Sequence, residues 1–153
     1  MLDLLHEQQV PGEEVNSVIV STSRRNATIL RNARPQTGLE AKFSMQFAMA
    51  SSIIAGRVGL SELTDSFVQR QDVQALLGKV RIEPDDRPDP KRSGAAPYDL
   101  VVIDLNGGRR LESRRVTDER GSPQLPLSTE ELWAKFEACL RLGNADLPAR
   151  QIF

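Results

Sequence analysis

Residues 39–55 are predominantly apolar or small. Their larger side chains recur at the spacing of a helix and fall on two of its faces. One face is formed by Phe43, Phe47, Ala50 and Ile54, and the other by Met45, Met49, Ser52 and Ile53. A helix that is apolar nearly all round is normally enclosed by other elements. The pattern therefore predicts a central, buried helix over residues 39–55 that ends at Gly56.

The few polar residues of this predicted helix, Lys42, Ser44 and Gln46, lie in its first two turns. The unpaired N–H groups of a helix and the positive end of its dipole lie in the same place. We therefore expect the chemistry of the protein at the start of this helix. Phe47 and the two neighbouring methionines are expected in the core and not against a cofactor.

Four strands are predicted from β-branched or alternating runs, over residues 15–21, 80–83, 98–105 and 109–116. The last two strands are separated by Asn106-Gly107, a pair that favours a hairpin because both residues tolerate a positive φ angle. This part of the chain is therefore expected to form an antiparallel hairpin.

Helix starts are predicted from capping residues at Ser61, Asp72 and Ser128, and Glu131 completes a capping box with Ser128. Residues 22–38 are predicted as a long polar connection, and residues 85–97, rich in proline and charge, as a mobile surface loop or lid segment. The order of elements predicts a single α+β domain over residues 1–153. In it, helices form a two-layer sandwich with a mainly antiparallel sheet.

The chain opens on Leu2, Leu4 and Leu5, which with Val10 have the pattern of an amphipathic helix. No capping residue precedes them, and a helix of two turns is marginal by itself. We therefore expect the chain to begin inside a longer helix.

The bulk composition excludes several classes of function. With 20 basic and 21 acidic residues, the net charge of −1 gives no general attraction to nucleic acid or anionic membranes. A single cysteine cannot form an internal disulfide, and no apolar run approaches the length of a membrane span. The N-terminus lacks the features of a signal peptide. A soluble, cytoplasmic protein is expected.

Most candidate sites fail on chemistry or context. One histidine and one cysteine cannot supply a zinc site. Gly56 and Gly59 follow a predicted helix instead of preceding one, which excludes a phosphate-binding loop. His6 is interpreted as an exposed helical residue, and Cys139 as a small buried side chain.

Two arginine clusters remain after these exclusions. Arg24, Arg25, Arg31 and Arg34 could clamp a carboxylate ligand, because guanidinium groups pair bidentately with carboxylates, or they could be a solvated loop. The second cluster consists of Arg109, Arg110, Arg114 and Arg115. It is expected on the solvent side of the hairpin, where it protects a sheet edge.

Several short motifs follow one another around the central helix. Pro35-Gln36-Thr37 precedes Glu40-Ala41-Lys42-Phe43-Ser44, an aromatic residue (Phe47) follows three positions after the serine, and small residues lead to Gly56. In this order the motifs resemble the C-terminal part of the MmgE/PrpD family. That family includes 2-methylcitrate dehydratase, cis-aconitate decarboxylase and iminodisuccinate epimerase. The similarity extends through the Asn106-Gly107 turn to the Ser128 helix and covers nearly the whole chain.

The resemblance implies a fold and a reaction class. Members resemble one another in having a large all-helical domain and a smaller α+β lid, with the site in the cleft between them. The reaction is abstraction of a proton alpha to a carboxylate of a small polycarboxylate, followed by loss of water or CO2 or by reprotonation. No metal or organic cofactor is implied. The chain would be the lid domain without its helical partner, and a homodimer formed around the first or the central helix is expected.

The resemblance also implies the substrate-binding residues: Arg34, Lys42, Ser44, Gln46 and Phe47. The catalytic histidines of the family lie in the helical domain, so no catalytic residue is assigned in this sequence and the isolated chain is expected to be inactive. Phe47 stands where the decarboxylase-like members have a tyrosine. A phenyl ring cannot donate a hydrogen bond.

Two other functions stay open. The chain could be a stand-alone α+β binding or dimerisation module that holds an anionic metabolite with the Arg24–Arg34 cluster. Nucleic-acid binding through the arginine hairpin is a third possibility, which the net charge disfavours and which predicts salt-sensitive binding to oligonucleotides.

Overall fold

The computed structural model describes residues 1–8, 10–143 and 152–153. They divide into two compact units, Met1–Thr117 and Asp118–Phe153. The prediction of one domain over the whole chain stays a prediction. None of the helices in the described ranges is long and apolar enough to cross a membrane.

The first unit is built on a four-stranded sheet with the order β2-β1-β3-β4. Its strands are β1 (Val15–Ser23), β2 (Val80–Asp85), β3 (Leu100–Leu105) and β4 (Arg110–Glu112). β1 pairs with β2 in parallel and with β3 in antiparallel fashion, and β3 pairs with β4 in antiparallel fashion. Helices pack against this sheet. The structure therefore confirms the predicted α+β fold with a mainly antiparallel sheet.

Six α-helices accompany the sheet in the described part of the first unit: α1 (Leu2–Gln8), α2 (Arg24–Ile29), α3 (Gly38–Ala41), α4 (Met45–Ala55), α5 (Asp65–Val68) and α6 (Gln71–Leu77). The core lies where α1, α4 and α6 meet the inner face of β1 and β3. Its fully buried side chains include Val18 of β1, Phe47 of α4, Val73 of α6 and Ile103 of β3.

The predicted continuous helix over residues 39–55 is wrong, because the chain breaks it between α3 and α4. Ser44 adopts an extended conformation (φ −127°, ψ 113°), and its hydroxyl accepts the backbone N–H of Phe47 at 3.0 Å. Ser44 is therefore the N-cap of α4 and not a residue within a helix. α4 ends as predicted at Gly56, whose φ of 65° is the left-handed conformation that favours glycine.

Four smaller expectations are also corrected by the structure. Residues 22–38 are not only a loop, because Ser23 at the end of β1 caps α2 through the N–H of Asn26. Thr64, and not Ser61, caps the next helix, and α6 begins after Arg70 without a side-chain cap at Asp72. β2 continues through Pro84, which an edge strand tolerates because one side of its backbone is unpaired.

The predicted hairpin exists with a turn of three residues, Asn106–Gly108. The positive φ angles fall on Gly107 (80°) and Gly108 (84°), while the side-chain amide of Asn106 donates to the carbonyl of Glu13 at 3.0 Å. β4 is shorter than predicted, and a single bridge between Asp99 and Val116 continues the pairing beyond it.

The second unit contains α7 (Thr129–Leu142), which begins with the predicted capping box and ends at Gly143. Its Trp133 and Phe136 rings pack against Phe153, with centroids 5.3 and 5.6 Å away. Cys139 is exposed, so the prediction that it is a buried side chain is wrong. The interpretation of His6 falls on a side chain outside those that the structure describes.

Candidate functional site

The start of α4 is joined to the segment that follows α2. Arg31 and Ser44 form an antiparallel bridge, and the N–H of Asn32 donates to the carbonyl of Phe43 at 3.0 Å. The side-chain amide of Asn32 donates to the carbonyl of Glu40 at 2.9 Å. These contacts explain the break between α3 and α4, since Ser44 is extended and the backbone of residues 43 and 44 pairs with residues 31 and 32.

Positive charge is in excess around this junction. Residues 31–44 contain Arg31, Arg34 and Lys42 but one acidic residue, Glu40. Glu40 accepts the backbone N–H of Gln36 at 2.7 Å. All three cations are exposed, and no carboxylate in the described ranges pairs with any of them. Each of these cations can therefore bind an anion without first breaking an ion pair within the described residues.

The other three residues implied as site residues are buried. Ser44 is 2% exposed and is occupied as the cap of α4, and Phe47 is 0% exposed. The ring of Phe47 meets Phe67 edge to face, with centroids 6.1 Å apart. Phe47 thus belongs to the core, as its position in the apolar pattern predicts. Its role toward a substrate stays a prediction.

Gln46 is buried and incompletely paired. It is 8% exposed, and its side-chain oxygen has no hydrogen-bond partner within the described part of the chain. A buried acceptor without a donor costs about 1–3 kcal/mol, so a donor from outside these residues would relieve a real penalty. Gln46 lies in the first turn of α4, two residues after the cap.

The predicted clamp of four arginines is divided into two pairs by α2. Arg24 pairs with Asp86, and Arg25 packs against Gly94. Arg31 instead pairs through its backbone with Ser44, and a guanidinium nitrogen of Arg34 lies 3.7 Å from the position that a Cβ would take on Gly78. The sequence analysis missed α2, which begins at Arg24, because residues 22–38 are polar and were predicted as a connection after a strand that ended at Ser21.

The arginines of the hairpin are exposed, as expected, and β4 is an edge strand. Arg110 lies 3.6 Å from Asp104, and Arg114 pairs with Asp3 at 2.7 Å. The guanidinium of Arg115 lies over the ring of Tyr98.

The scaffold under the site depends on Glu62, a residue that the sequence patterns did not single out. Glu62 is 2% exposed and accepts hydrogen bonds from Arg57 Nε (2.8 Å), the Ser61 hydroxyl (2.8 Å) and the Gly59 N–H (3.0 Å). Burial alone would raise the pKa of Glu62, but these hydrogen bonds and the Arg57 charge outweigh it and lower that pKa. The loop after α4 is therefore closed around a buried carboxylate.

This loop supports α3 at Gly38. A Cβ at Gly38 would lie 2.1 Å from the carbonyl oxygen of Leu63, so the two backbones are in direct contact. The N–H of Gly38 also donates to the Asp65 carboxylate at 2.8 Å. Lys42 and the start of α4 are thus positioned by a chain of contacts that begins at Glu62.

A groove of 530 Å³ lies at the other end of α4, lined by Pro11, Gly12, Glu13, Ile53, Ile54, Arg70, Asp72, Ala75, Leu76 and Lys79. None of the five site residues implied by the resemblance lines it. Arg70 pairs with Asp72, and Lys79 donates to the carbonyl of Val15. Its charged groups are therefore already occupied in part.

The structure thus shows an α+β domain whose segment leading into the central helix, residues 31–44, carries three exposed cations that have no carboxylate partner among the described residues. Comparison with protein families identifies the class. The family model of the MmgE/PrpD C-terminal domain matches residues 1–151, and the chain belongs to this family. A search of the curated proteins finds no match.

Proposed function

We propose that this chain forms one wall of a site at which an MmgE/PrpD-type lyase or isomerase binds a small polycarboxylate. The reaction is removal of a proton alpha to a carboxylate, as in 2-methylcitrate dehydratase. The observation that carries the proposal is the excess of exposed cations in residues 31–44, which have no carboxylate partner among the described side chains, in a chain that belongs to this family.

Two of these cations bind the substrate in the proposal. Arg34 and Lys42 bind carboxylates of the substrate, because a guanidinium pairs bidentately with a carboxylate and an ammonium supplies a point charge. Proton removal alpha to a carboxylate moves negative charge onto the carboxylate oxygens. Cations that are already in place stabilise that charge more in the transition state than in the ground state.

The residues of α4 have supporting roles. The side-chain oxygen of Gln46 accepts a hydrogen bond from a hydroxyl of the substrate, which provides the donor that this oxygen lacks among the described residues. Ser44 and Phe47, both buried, hold the first turn of α4 in position for this contact. The base lies in a helical domain outside this sequence, so the 153-residue chain is proposed to bind without turnover.

Binding can be tested by NMR titration of the purified chain with 2-methylcitrate, cis-aconitate and iminodisuccinate. We expect amide shifts near residues 31–46, and we expect Arg34→Gln or Lys42→Gln to weaken binding about fivefold to tenfold each, the cost of one charge-assisted contact at a solvated site. Arg81→Gln is the matched control. Arg81 is exposed on the edge strand β2 and has no carboxylate partner among the described side chains.

Three results would contradict the proposal. An equal loss of affinity in Arg81→Gln would show that any surface cation contributes and that there is no site. The absence of amide shifts with all three acids would refute binding by this wall. Turnover of any of these acids by the purified chain would refute the assignment of the base to another domain.

A stand-alone module that holds an anionic metabolite is favoured by the same unpaired cations. It predicts the same binding and the same variant effects, but no gain of activity when a helical domain of the family is added. Reconstitution of turnover with such a domain therefore separates the two functions.

A further inference from the structure

The groove at the C-terminal end of α4 has the size and much of the apolar lining of a small-molecule site. Its volume is 530 Å³, within the range of about 300–1,000 Å³ that such sites have. Ile53 and Ile54 of α4 and Leu76 of α6 line it. A Cβ added to Gly12 would lie 3.5 Å from Ile53 and 3.6 Å from Leu76, so the turn before β1 lies against both helices. Three neighbouring elements therefore form one groove.

Four charged side chains also line this groove, and two of them compensate each other. Arg70 and Asp72 form an ion pair at 2.6 Å, so neither of them selects a ligand. Glu13 and Lys79 have no ion-pair partner within the described ranges. Lys79 donates to the carbonyl of Val15 at 2.6 Å, but an ammonium has three donors and a carbonyl does not neutralise its charge. The groove therefore keeps one free carboxylate and one free positive charge.

The two free charges are held close to each other. The Lys79 ammonium contacts the carbonyl of Val15, which is two residues after Glu13, and two residues of chain span at most about 7 Å. The side-chain amide of Asn106 donates to the carbonyl of Glu13 at 3.0 Å, which fixes the backbone of this turn. Because both side chains also line the same groove, one small ligand can contact both charges at once.

We propose that this groove binds a free α-amino acid with an aliphatic side chain. The carboxylate of the ligand pairs with Lys79, and its ammonium group pairs with Glu13. Its side chain covers the apolar lining at Ile53, Ile54 and Leu76, which removes apolar surface from water. Glu13 would repel a dicarboxylate and Lys79 would repel a diamine, so the pair of opposite charges selects a zwitterion. This site shares no residue with the proposed polycarboxylate site.

NMR titration of the purified chain with L-leucine tests the proposal. We expect saturable amide shifts in the turn before β1 and in α6, and we expect Glu13→Gln and Lys79→Gln to weaken binding about fivefold to tenfold each. Glu14→Gln and Arg81→Gln are the matched controls, because both residues are exposed, have no ion-pair partner in the described ranges and do not line the groove. Each control should change the affinity less than about twofold.

A substitution that fills the groove tests its position without removing a charge. Ala75 lines the groove and is exposed on α6, so Ala75→Leu adds volume without disturbing the core. We expect this variant to lose at least about tenfold in affinity for L-leucine. Gln71→Leu is its control, because Gln71 is exposed on the same helix but does not line the groove. Thermal melts by circular dichroism confirm that each variant is folded.

Three analogues separate the parts of the ligand. N-acetyl-L-leucine lacks the ammonium group, L-leucinamide lacks the carboxylate and glycine lacks the aliphatic side chain, and each should bind at least about fivefold more weakly than L-leucine. N-acetyl-L-leucine that binds as tightly as L-leucine would overturn the proposal in favour of an apolar carboxylate, such as the C-terminus of a peptide. L-leucinamide that binds as tightly would overturn it in favour of an apolar amine.

The absence of saturable shifts with L-leucine at millimolar concentration would also overturn the proposal. So would an equal loss of affinity in Glu13→Gln and Glu14→Gln, or binding that Ala75→Leu does not weaken. Binding of 2-methylcitrate near residues 31–46 should be unchanged in Ala75→Leu, so failure of the amino-acid site leaves the polycarboxylate site to be judged separately.

Discussion

Glu62 allows the sharpest test of how the site is supported. The substitution Glu62→Gln keeps the size of the side chain but removes its charge and one of its two acceptor oxygens. One carboxylate oxygen accepts from Arg57 and Ser61, and the other accepts from the N–H of Gly59. A glutamine can satisfy one of these groups of donors but must turn its own NH2 toward the other.

The expected loss of unfolding free energy follows from the three hydrogen bonds that Glu62 accepts. Arg57 is 66% exposed, so losing its ion pair costs only about 0.5–1 kcal/mol, as for a surface pair. A donor left facing the glutamine NH2, such as the N–H of Gly59, costs about 1–3 kcal/mol. The expected loss is about 2–3 kcal/mol of unfolding free energy at pH 7. For a unit of this size it corresponds to a melting temperature lower by roughly 10 °C.

The assay must report on the first unit. The single tryptophan, Trp133, lies in the second unit, so its fluorescence is unsuitable. The unfolding free energy of the first unit is measured by urea denaturation, with hydrogen exchange of the amides in β1 and α4 as the readout. Glu83→Gln serves as the control, because Glu83 is exposed in β2. It should change the stability by less than about 0.5 kcal/mol.

The pH dependence of the unfolding free energy is an independent test of the role of Glu62, and its direction can be worked out. The pKa of Glu62 is lower in the folded chain than its ordinary value of 4.5, so the unfolded state binds more protons at acidic pH. The stabilisation is therefore complete above pH 4.5 and is lost as the pH falls through the folded pKa. The difference between wild type and Glu62→Gln should shrink in that range. A difference below about 0.5 kcal/mol at pH 7, or one that does not change with pH, would refute the reasoning.

Two further substitutions test the packing around the site by urea denaturation. Gly38→Ala should cost about 3 kcal/mol, because the new Cβ would lie 2.1 Å from the Leu63 carbonyl oxygen. Gly12→Ala, whose Cβ would meet Ile53 and Leu76 at 3.5 and 3.6 Å, should be nearly neutral, and similar costs for the two would contradict the direct backbone contact. Phe47→Ala should cost about 3–5 kcal/mol, whereas Phe43→Ala, at a side chain 48% exposed, should cost less than about 1 kcal/mol. A smaller loss for Phe47→Ala than for Phe43→Ala would remove Phe47 from the core.

Local signals predicted the elements that depend on neighbouring residues. The capping box of Ser128 and Glu131, the end of α4 at Gly56 and the strand over β1 all follow from residues close together in sequence. The break at Ser44 does not. No proline or glycine marks residues 42–44, and the extended backbone there pairs with Arg31 and Asn32, which are 13 and 11 residues from their partners. Periodicity within one segment cannot reveal such a pairing.

In the candidate site, too, some features could be predicted from the sequence and others depend on packing between distant residues. The positive charge of Arg34 and Lys42 can be read from the sequence, and the resemblance adds the residues of α4. The burial of Ser44 and the unpaired oxygen of Gln46 depend on how α4 packs, and the carboxylate of Glu62 lies in a loop with no apolar pattern. Chemistry carried by residue type was therefore predictable, whereas its burial and its partners were not.

The distribution of ion pairs among the arginines is not explained by stability. Arg24, Arg70, Arg87 and Arg114 all pair with carboxylates at 2.6–2.7 Å. Exposed pairs of this kind contribute about 0–1 kcal/mol, so the fold gains little from pairing a cation and loses little by leaving it unpaired. Stability alone would not select which arginines remain free. The lack of a carboxylate partner at Arg31, Arg34 and Lys42 among the described residues is therefore not a requirement of the fold, and it is compatible with the binding of an anion.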